Sequence, residues 1–502
     1  MKLFRITALV ALIFFTAILW QCGQPQAKQT AAYSEEIASR IQQVEENLLP
    51  AIIVKSEEET TRGYPILERM KHYKVPGVSV AVINNGKIEW AKGYGLIDKS
   101  GGEKVDTETL FQAASISKSV AAMGSLKLAE KGKIDIEDDA NKYLKSWKIP
   151  ANEFTKKKTI TPALMLNHNA GLTVHGFRGY APGEDVPTLL QLLDGQPPAN
   201  SKAIRADIEP GSQWRYSGGG YCVIQQMMID VTGKTFPQIM SEFVLKPLGL
   251  KNSTYEQPLP EALRDNAAVG YRGNGNMVTG KYHTYPELAA AGLWTTPSDL
   301  CLFAIEIQES LAGKSGKVLS QSMTQNMTSA RLGKYGLGLS VGKKENATHF
   351  SHGGANEGFR CVVFAYVESG KGAAVMANSD SGDTLNREIM RAISKVYGWP
   401  NFKTREKEVI EVDASFFESL SGSYIIAGKY EISVFTRDEK LYLTNHEGVT
   451  QRLYPESKTK FFITGNGTLL DFVLDDKGKT AEIKIKVGGS TYVAKKQEAP
   501  AN

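Results

Sequence analysis

The chain has 502 residues, enough for two to four domains at roughly 150 residues each, and 42% of them are hydrophobic, so a large core can form. Its 59 Lys and Arg against 54 Asp and Glu leave a formal charge of +5, small for this length and not gathered into dense basic runs, which argues against nucleic acid as a partner. Of the four cysteines, Cys222, Cys301 and Cys361 show no Cys-x-x-Cys spacing; at most one disulfide could form, and they read as buried free thiols rather than a metal knuckle.

Residues 1–20 read as a secretion signal. Lys2 and Arg5 form a short cationic start, and residues 6–20 are almost wholly apolar, a run of about 15 that is short for a membrane span. Cys22 follows directly and resembles the lipidated cysteine of bacterial lipoprotein signals, although Leu19-Trp20-Gln21 lacks the small residues expected before it. The expectation is a cell-envelope protein, secreted to the periplasm and held by a lipid on Cys22, with plain export and an uncleaved anchor as alternatives.

Residues 24–32 form a polar tether and residues 34–49 a helix, with Ile37, Ile41, Val44 and Leu48 on one side. Residues 67–73 finish a second helix. Residues 78–83 are a strand, Asn84-Asn85-Gly86 a hairpin turn and residues 88–92 its partner. Residues 110–132 contain Ser115 and Lys118, three apart at the start of a helix, with Ile116, Val120 and Met123 at helical spacing and Gly132 as a stop. A lysine amine shielded from water can take the proton of a neighbouring serine hydroxyl, and a helix N-terminus favours an oxyanion. The spacing alone is weak evidence, because Ser-x-x-Lys recurs at Ser340 and Ser457.

Further on, Thr161-Pro162 opens a capped helix that ends near His168, read as a structural hydrogen-bonder. Residues 176–206, rich in Gly and Pro, read as surface helices and loops. Tyr216-Ser217-Gly218-Gly219-Gly220 leads into a helix over 222–231, and glycine there permits close approach of a ligand or side chain. Residues 289–304 read as one helical stretch, starting at 295–299. His349 to Ala355 leads toward a strand over 361–367, a turn at 368–372, a strand over 373–377 and a closing helix over 382–397. His349 and His352 lack a third ligand at metal spacing, so neither metal nor cofactor is expected. Residues 400–413 form a linker. From residue 416 alternating segments recur at 430–435, 440–444, 451–454, 461–464, 469–474, 481–487 and 491–494, a small antiparallel β domain. Binding an apolar ligand, rimming the active site and mediating homo-oligomer assembly are all open to it.

Three stretches, in order, resemble the serine β-lactamase and penicillin-binding-protein superfamily, especially its class C β-lactamase, DD-peptidase and esterase branch: Ser115-Ile116-Ser117-Lys118, Tyr216-Ser217-Gly218 and His352-Gly353-Gly354. Val75-Pro76-Gly77-Val78, Gly93-Tyr94-Gly95 and residues 292–300 are similar to other parts of that branch, and the final β domain resembles the lipocalin-like barrel appended to some members. The resemblance implies an α+β fold: a β-lactamase-like domain, an antiparallel sheet flanked by helices plus a mainly helical subdomain, over residues 64–399, then a β-barrel over 414–496. The signal occupies residues 1–22, and the tether with the N-terminal helix residues 23–63. It implies a serine hydrolase, an esterase or D-amino-acid peptidase before a β-lactamase, acting on a small-molecule or peptide substrate. Ser115 would be the nucleophile; Lys118 and Tyr216 would share the acid–base work. His352, where β-lactamases carry lysine, would orient groups or bind an anion when protonated. The N–H groups of Ser115 and Ala355 would form the oxyanion hole, and Ser217, Gly218, Gly353 and Gly354 would line the substrate. Gly218 stands where the family usually has asparagine, which counts against β-lactam turnover. A non-catalytic binding protein on the same fold is the competing expectation. Lys314-Ser315-Gly316, an alternative third motif, sits in an apparent loop.

Overall fold

The structure, a computed structural model, describes residues 33–428, 430–446, 448–476, 478–487 and 490–497. The expected signal and Cys22 lie outside the described residues. No helix among the described residues is long and apolar enough to cross a membrane.

In chain order the larger domain runs through α1 (Glu35–Glu46), β1 (Gly77–Asn84), β2 (Lys87–Gly95), α2 (Ser117–Glu130), α3 (Gly218–Thr232), α4 (Pro297–Leu311), β3 (Ser340–Lys344), β4 (Ala347–Asn356), β5 (Phe359–Tyr366), β6 (Gly372–Ala377) and α5 (Gly382–Val396). The strands form one antiparallel sheet in the order β2-β1-β6-β5-β4-β3. The first hairpin closes as its sequence dictates: Asn85 and Gly86 take φ of 53° and 71°, the left-handed pair a two-residue turn requires.

β1 is buried along its whole length and mainly apolar, with Ser79 and Asn84 as its polar residues, because both faces of the sheet are covered. Val78, Val80 and Val82 point into a core shared with α1 and α5, whereas Ala81 and Ile83 point into the larger core that contains α2, α3 and α4. The sheet is thus the middle layer between two helical layers. Ser34 caps α1, its hydroxyl accepting from Ile37 N, and places Ile41 and Val44 inward.

Two expectations need correcting. Residues 289–304 are not one helix. A short helix, Leu288–Ala291, stops at Gly292, Trp294–Thr295 pairs with Phe111–Gln112, and α4 begins only at Pro297 behind the Thr296 cap. Proline lacks the N–H a helix interior needs, so it starts α4 rather than sitting within a longer helix. The stretch between the two domains also carries a strand of its own, Arg405–Lys407, paired in parallel with Ile52–Val54.

The second domain is a closed antiparallel barrel of eight strands: β7 (Gly422–Ile426), β8 (Tyr430–Arg437), β9 (Lys440–Thr444), β10 (Thr450–Pro455), β11 (Lys460–Phe462), β12 (Leu469–Leu474), β13 (Thr480–Val487) and β14 (Ser490–Lys496). β7 completes the barrel between β8 and β14, and the sequence pattern missed it because Gly422-Ser423 blurs its alternation. Inward residues such as Ile432, Val434, Leu441, Phe461, Phe472 and Ile483 fill its interior, with Phe417 and Leu420 of a short helix at one end.

Candidate active site

Ser115 sits in a single 3-10 turn, Ala114–Ile116, that runs into α2. Ala114 has φ of 48°, unusual for an L-residue, and this turns the chain so that Ser115 is the one partly exposed residue in a buried stretch from Phe111 to Leu126. The start of α2 is held from several sides. Ala113 N donates to Leu293 O (2.8 Å), Leu293 N donates to Ser117 Oγ (3.0 Å), Tyr255 Oη donates to Ser117 O (2.8 Å) and Ser119 Oγ donates to Gly338 O (2.7 Å).

Lys118 is fully buried, and its Nζ lies 3.1 Å from Ser115 Oγ and 2.7 Å from Ala290 O. No carboxylate pairs with it among the described residues. Burial therefore pushes its pKa down to about 7, so near neutral pH a large share of the amine carries a free lone pair beside the serine hydroxyl. The other two Ser-x-x-Lys copies do not share this setting. Ser340 and Lys343 lie on β3, and Ser457 Oγ accepts from the backbone N–H groups of Thr459 and Lys460 in a turn.

Tyr216 lies beside the Ser115 turn, and Lys118 Nζ lies 5.1 Å from its ring centre. Desolvation raises its pKa, with the Ser115 contact opposing only in part, so the phenol keeps its proton. His168 places this tyrosine. Its Nδ1 accepts from Ser217 N (3.2 Å) and its ring packs, tilted by 35°, 4.1 Å from that of Tyr216. Ser217 is the N-cap of α3: its hydroxyl donates to Thr173 O (2.8 Å) and accepts from Gly220 N (3.0 Å). Gly218 and Gly219 donate to His175 O and Val174 O, so these amides are spent on the protein. The glycine at 218 has a packing reason. A Cβ there would lie 2.9 Å from the Phe177 ring and 3.1 Å from His175 O, so an asparagine would require Phe177 to shift.

The third wall is β4. His352, Gly353, Gly354 and Ala355 belong to the strand itself, not to a loop leading to one. β3 pairs with β4 only as far as Ser351, so beyond it the β4 edge lies open toward the Ser115 turn. β4 and β5 close on Asn356 opposite Phe359, and the alternation of an antiparallel ladder then aims Ala355 N–H away from β5. The approach is close: a Cβ on Gly354 would meet Ala113 O at 2.2 Å. His352 Nδ1 lies 2.6 Å from Gly353 O, which fixes the proton on Nδ1 and leaves Nε2 as an acceptor. Its pKa falls to about 4 through burial and the nearby Lys118 charge, so the ring is neutral at pH 7.

Sequence reasoning passed over two residues. Tyr335 packs 4.9 Å from His168 and 6.1 Å from His352, ring to ring. Its hydroxyl, His168 Nε2 and His352 Nε2 are all buried without a hydrogen-bond partner among the described residues, a polar group that a substrate or water can satisfy. No motif marks Tyr335; only the fold brings it to Tyr216. Glu287 is fully buried, neither carboxylate oxygen has a hydrogen-bond partner among the described residues, and burial raises its pKa to about 8, so it is mostly neutral at pH 7. It begins the turn whose Ala290 carbonyl holds Lys118, a turn clamped by Gln225 through Pro286 O and Ala289 N. The Lys314-Ser315-Gly316 alternative lies elsewhere, with Ser315 Oγ bonded to Glu306. Among the described residues no His/Cys/Asp/Glu group is arranged to hold a metal ion.

Comparisons with known proteins converge on this region. The family model described as Beta-lactamase matches residues 66–397. Penicillin-binding protein 4* of Bacillus subtilis (strain 168) is 22% identical over 440 residues, covering 82% of this chain and 93% of that protein. Protein flp of Staphylococcus aureus (strain MW2) is 25% identical over 327 residues, 61% of this chain and 60% of its own length. The solved octameric penicillin-binding protein homologue from Pyrococcus abyssi gives a TM-score of 0.55 at 20% identity over 86% of this chain and 98% of that one. SurE with D-Leu gives 0.53 at 20% identity over 86% and 97%. Those two likenesses establish the fold, and the family match spans well over half of the chain: it belongs to the Beta-lactamase family, the serine hydrolases that include the penicillin-binding proteins.

Proposed function

We propose that the protein is an exported serine hydrolase that cleaves an uncharged ester or amide (peptide-type) bond through an acyl-enzyme on Ser115. The observation that carries this reading is the buried Lys118 amine, 3.1 Å from Ser115 Oγ and paired with no carboxylate among the described residues. A binding-only protein has no use for such an arrangement.

The reaction needs only the substrate, one water molecule and these side chains. Ser115 Oγ attacks the substrate carbonyl carbon and gives its proton to the neutral amine of Lys118. The carbonyl oxygen becomes an oxyanion held by the N–H groups of Ser115 and Ala355, worth typically ~3 kcal/mol per donor. Tyr216, which keeps its proton, donates it to the departing oxygen or nitrogen and recovers one from Lys118 as the bond to carbon breaks. Water then attacks the acyl carbon, its proton leaving by the same groups, and Ser115 is released. His352, neutral, accepts a hydrogen bond at Nε2 and orients the cleft rather than binding an anion. A neutral histidine where β-lactamases carry lysine supports uncharged esters and D-amino-acid amides as substrates ahead of carboxylate-bearing β-lactams. Gly353 and Gly354 keep the β4 edge low along the cleft. Ser217 and Gly218 shape the cleft wall rather than donate to the substrate, because the Ser217 hydroxyl and both of their N–H groups are already used within the protein.

A fluorophosphonate probe is expected to label the wild type and not the Ser115→Ala variant. Turnover in a screen of p-nitrophenyl esters, D-amino-acid amides and nitrocefin should vanish with the same substitution. Labelling that survives in Ser115→Ala would sink the assignment. The apolar N-terminal run and Cys22 support an exported, lipid-anchored form; metabolic incorporation of a palmitate analogue, lost in Cys22→Ser, is the corresponding check.

A further inference from the structure

A second cavity, of ≈ 660 Å³, lies between the larger domain and the barrel, well within the size range of small-ligand sites. One wall is the short helix Ile66–His72 with the residues flanking it; the other is barrel strands β8 to β10. Four arginines line it, and each lies over a tyrosine ring: Arg62 over Tyr64 at 4.3 Å, Arg69 over Tyr64 and Tyr73 at 4.7 Å, Arg437 over Tyr442 at 4.3 Å and Arg452 over Tyr454 at 4.3 Å. A guanidinium stacked by its face keeps its N–H edge free to present a planar fork to an oxyanion.

The charges do not balance within the protein. Arg69 pairs with Glu388, Arg452 with Glu57 and Arg62 with Glu68. Arg437 and Lys74, both exposed and lining the same cavity, have no carboxylate partner among the described residues. A purely structural latch between two domains would match each cation with an anion. Here one unmatched cation comes from each domain, so the cavity keeps two positive charges that repel unless an anion lies between them. We propose that this interdomain cavity is a binding site for a small dianion, clamped by Lys74 on one wall and Arg437 on the other. The shared chemistry is a pair of oxyanionic charges, carried by a phosphate or by a di- or tricarboxylate. The site is separate from the Ser115 cleft: none of its lining residues belongs to that cleft.

The test is calorimetric titration of the full chain, at constant ionic strength, with inorganic phosphate in one arm and citrate in the other. Binding at one site, with a Kd below about 1 mM, is expected in at least one arm. Phosphate alone identifies a phosphate-bearing ligand and citrate alone a carboxylate one; either result, or both, supports the site. Arg437→Ala and Lys74→Ala should each weaken binding at least tenfold. Both side chains are exposed, so circular dichroism and probe labelling of Ser115 should match the wild type. No binding tighter than about 1 mM in either arm overturns the proposal. So does an affinity that either variant leaves within threefold of the wild type, which would mean an adventitious ion or a clamp built from other groups.

Discussion

A buried lysine amine beside a serine is costly to the fold and, in the proposed mechanism, useful to the chemistry, and the two effects separate by pH. The Lys118 pKa in the folded chain, about 7, is below its ordinary 10.5. Its contribution to stability is therefore intact above pH 10.5, shrinks as pH falls toward 7, and is lowest below 7, where a proton must be forced into the core. Lys118→Met is expected to raise the melting temperature at pH 6 and to change it little near pH 11. The same substitution should lower kcat/KM by about 10²- to 10⁴-fold. In the wild type kcat/KM should climb with pH through about 7 and then level off, as the amine loses its proton. A profile flat from pH 5.5 to 8.5 would remove Lys118 from the role of base. Gly218 shows a different kind of constraint. Placing the family's usual asparagine there drives a Cβ against Phe177 and the His175 carbonyl, so Gly218→Asn should cost roughly 1–3 kcal/mol in denaturant unfolding. Adding Phe177→Ala should recover part of that loss, and if it recovers none, the clash is not the reason for the glycine.

At the scale of elements, the site is a meeting of three: the turn before α2, the turn before α3 and the open edge of β4. Much of this was legible in the sequence, because helices and hairpins are written in local pattern. The Asn85-Gly86 turn, the Ser34 cap and the apolar run of β1 each follow from residues within a few positions. What the sequence could not display is pairing at long range. Trp294–Thr295 became a strand because Phe111–Gln112 lies beside it, and Arg405–Lys407 because Ile52–Val54 does. Tyr335 entered the cleft only through the packing of distant loops. His352-Gly353-Gly354 was recognisable as a motif, yet its place inside a strand edge was not. That edge explains the motif's second glycine. Gly354→Ala should force β4 away from Ala113, with a displacement on the order of 1 Å enough to cost about 10²-fold in the rate of Ser115 labelling. Far-UV circular dichroism should remain that of the wild type. Unchanged labelling would show that the separation between β4 and the Ser115 turn does not control the chemistry.

For the whole molecule the question is whether barrel and catalytic domain unfold as one body. Apolar contact between them is small: Ile52 and Val54 pack with Tyr454 and Phe462. The rest of the seam is polar. Ile52 N donates to Thr464 O (3.0 Å), Arg452 forks onto Glu57, and Arg391 of α5 reaches across. Arg391 is the key group because it joins three parts at once: Nε donates to Leu49 O (2.7 Å) and Nη2 to Gly465 O (2.9 Å), while its own helix packs on the central sheet. It is buried, and desolvation lowers its pKa to about 10, so it remains charged at neutral pH. Arg391→Met keeps most of the volume but leaves the Leu49 carbonyl without this donor, a loss of about 1–3 kcal/mol for a buried polar group. Because that loss falls on the seam, scanning calorimetry should resolve two transitions in the variant where the wild type gives one. Ser115 labelling should persist up to the transition of the larger domain. A single transition that merely shifts downward would mean that the apolar seam and Arg452–Glu57 couple the domains without Arg391.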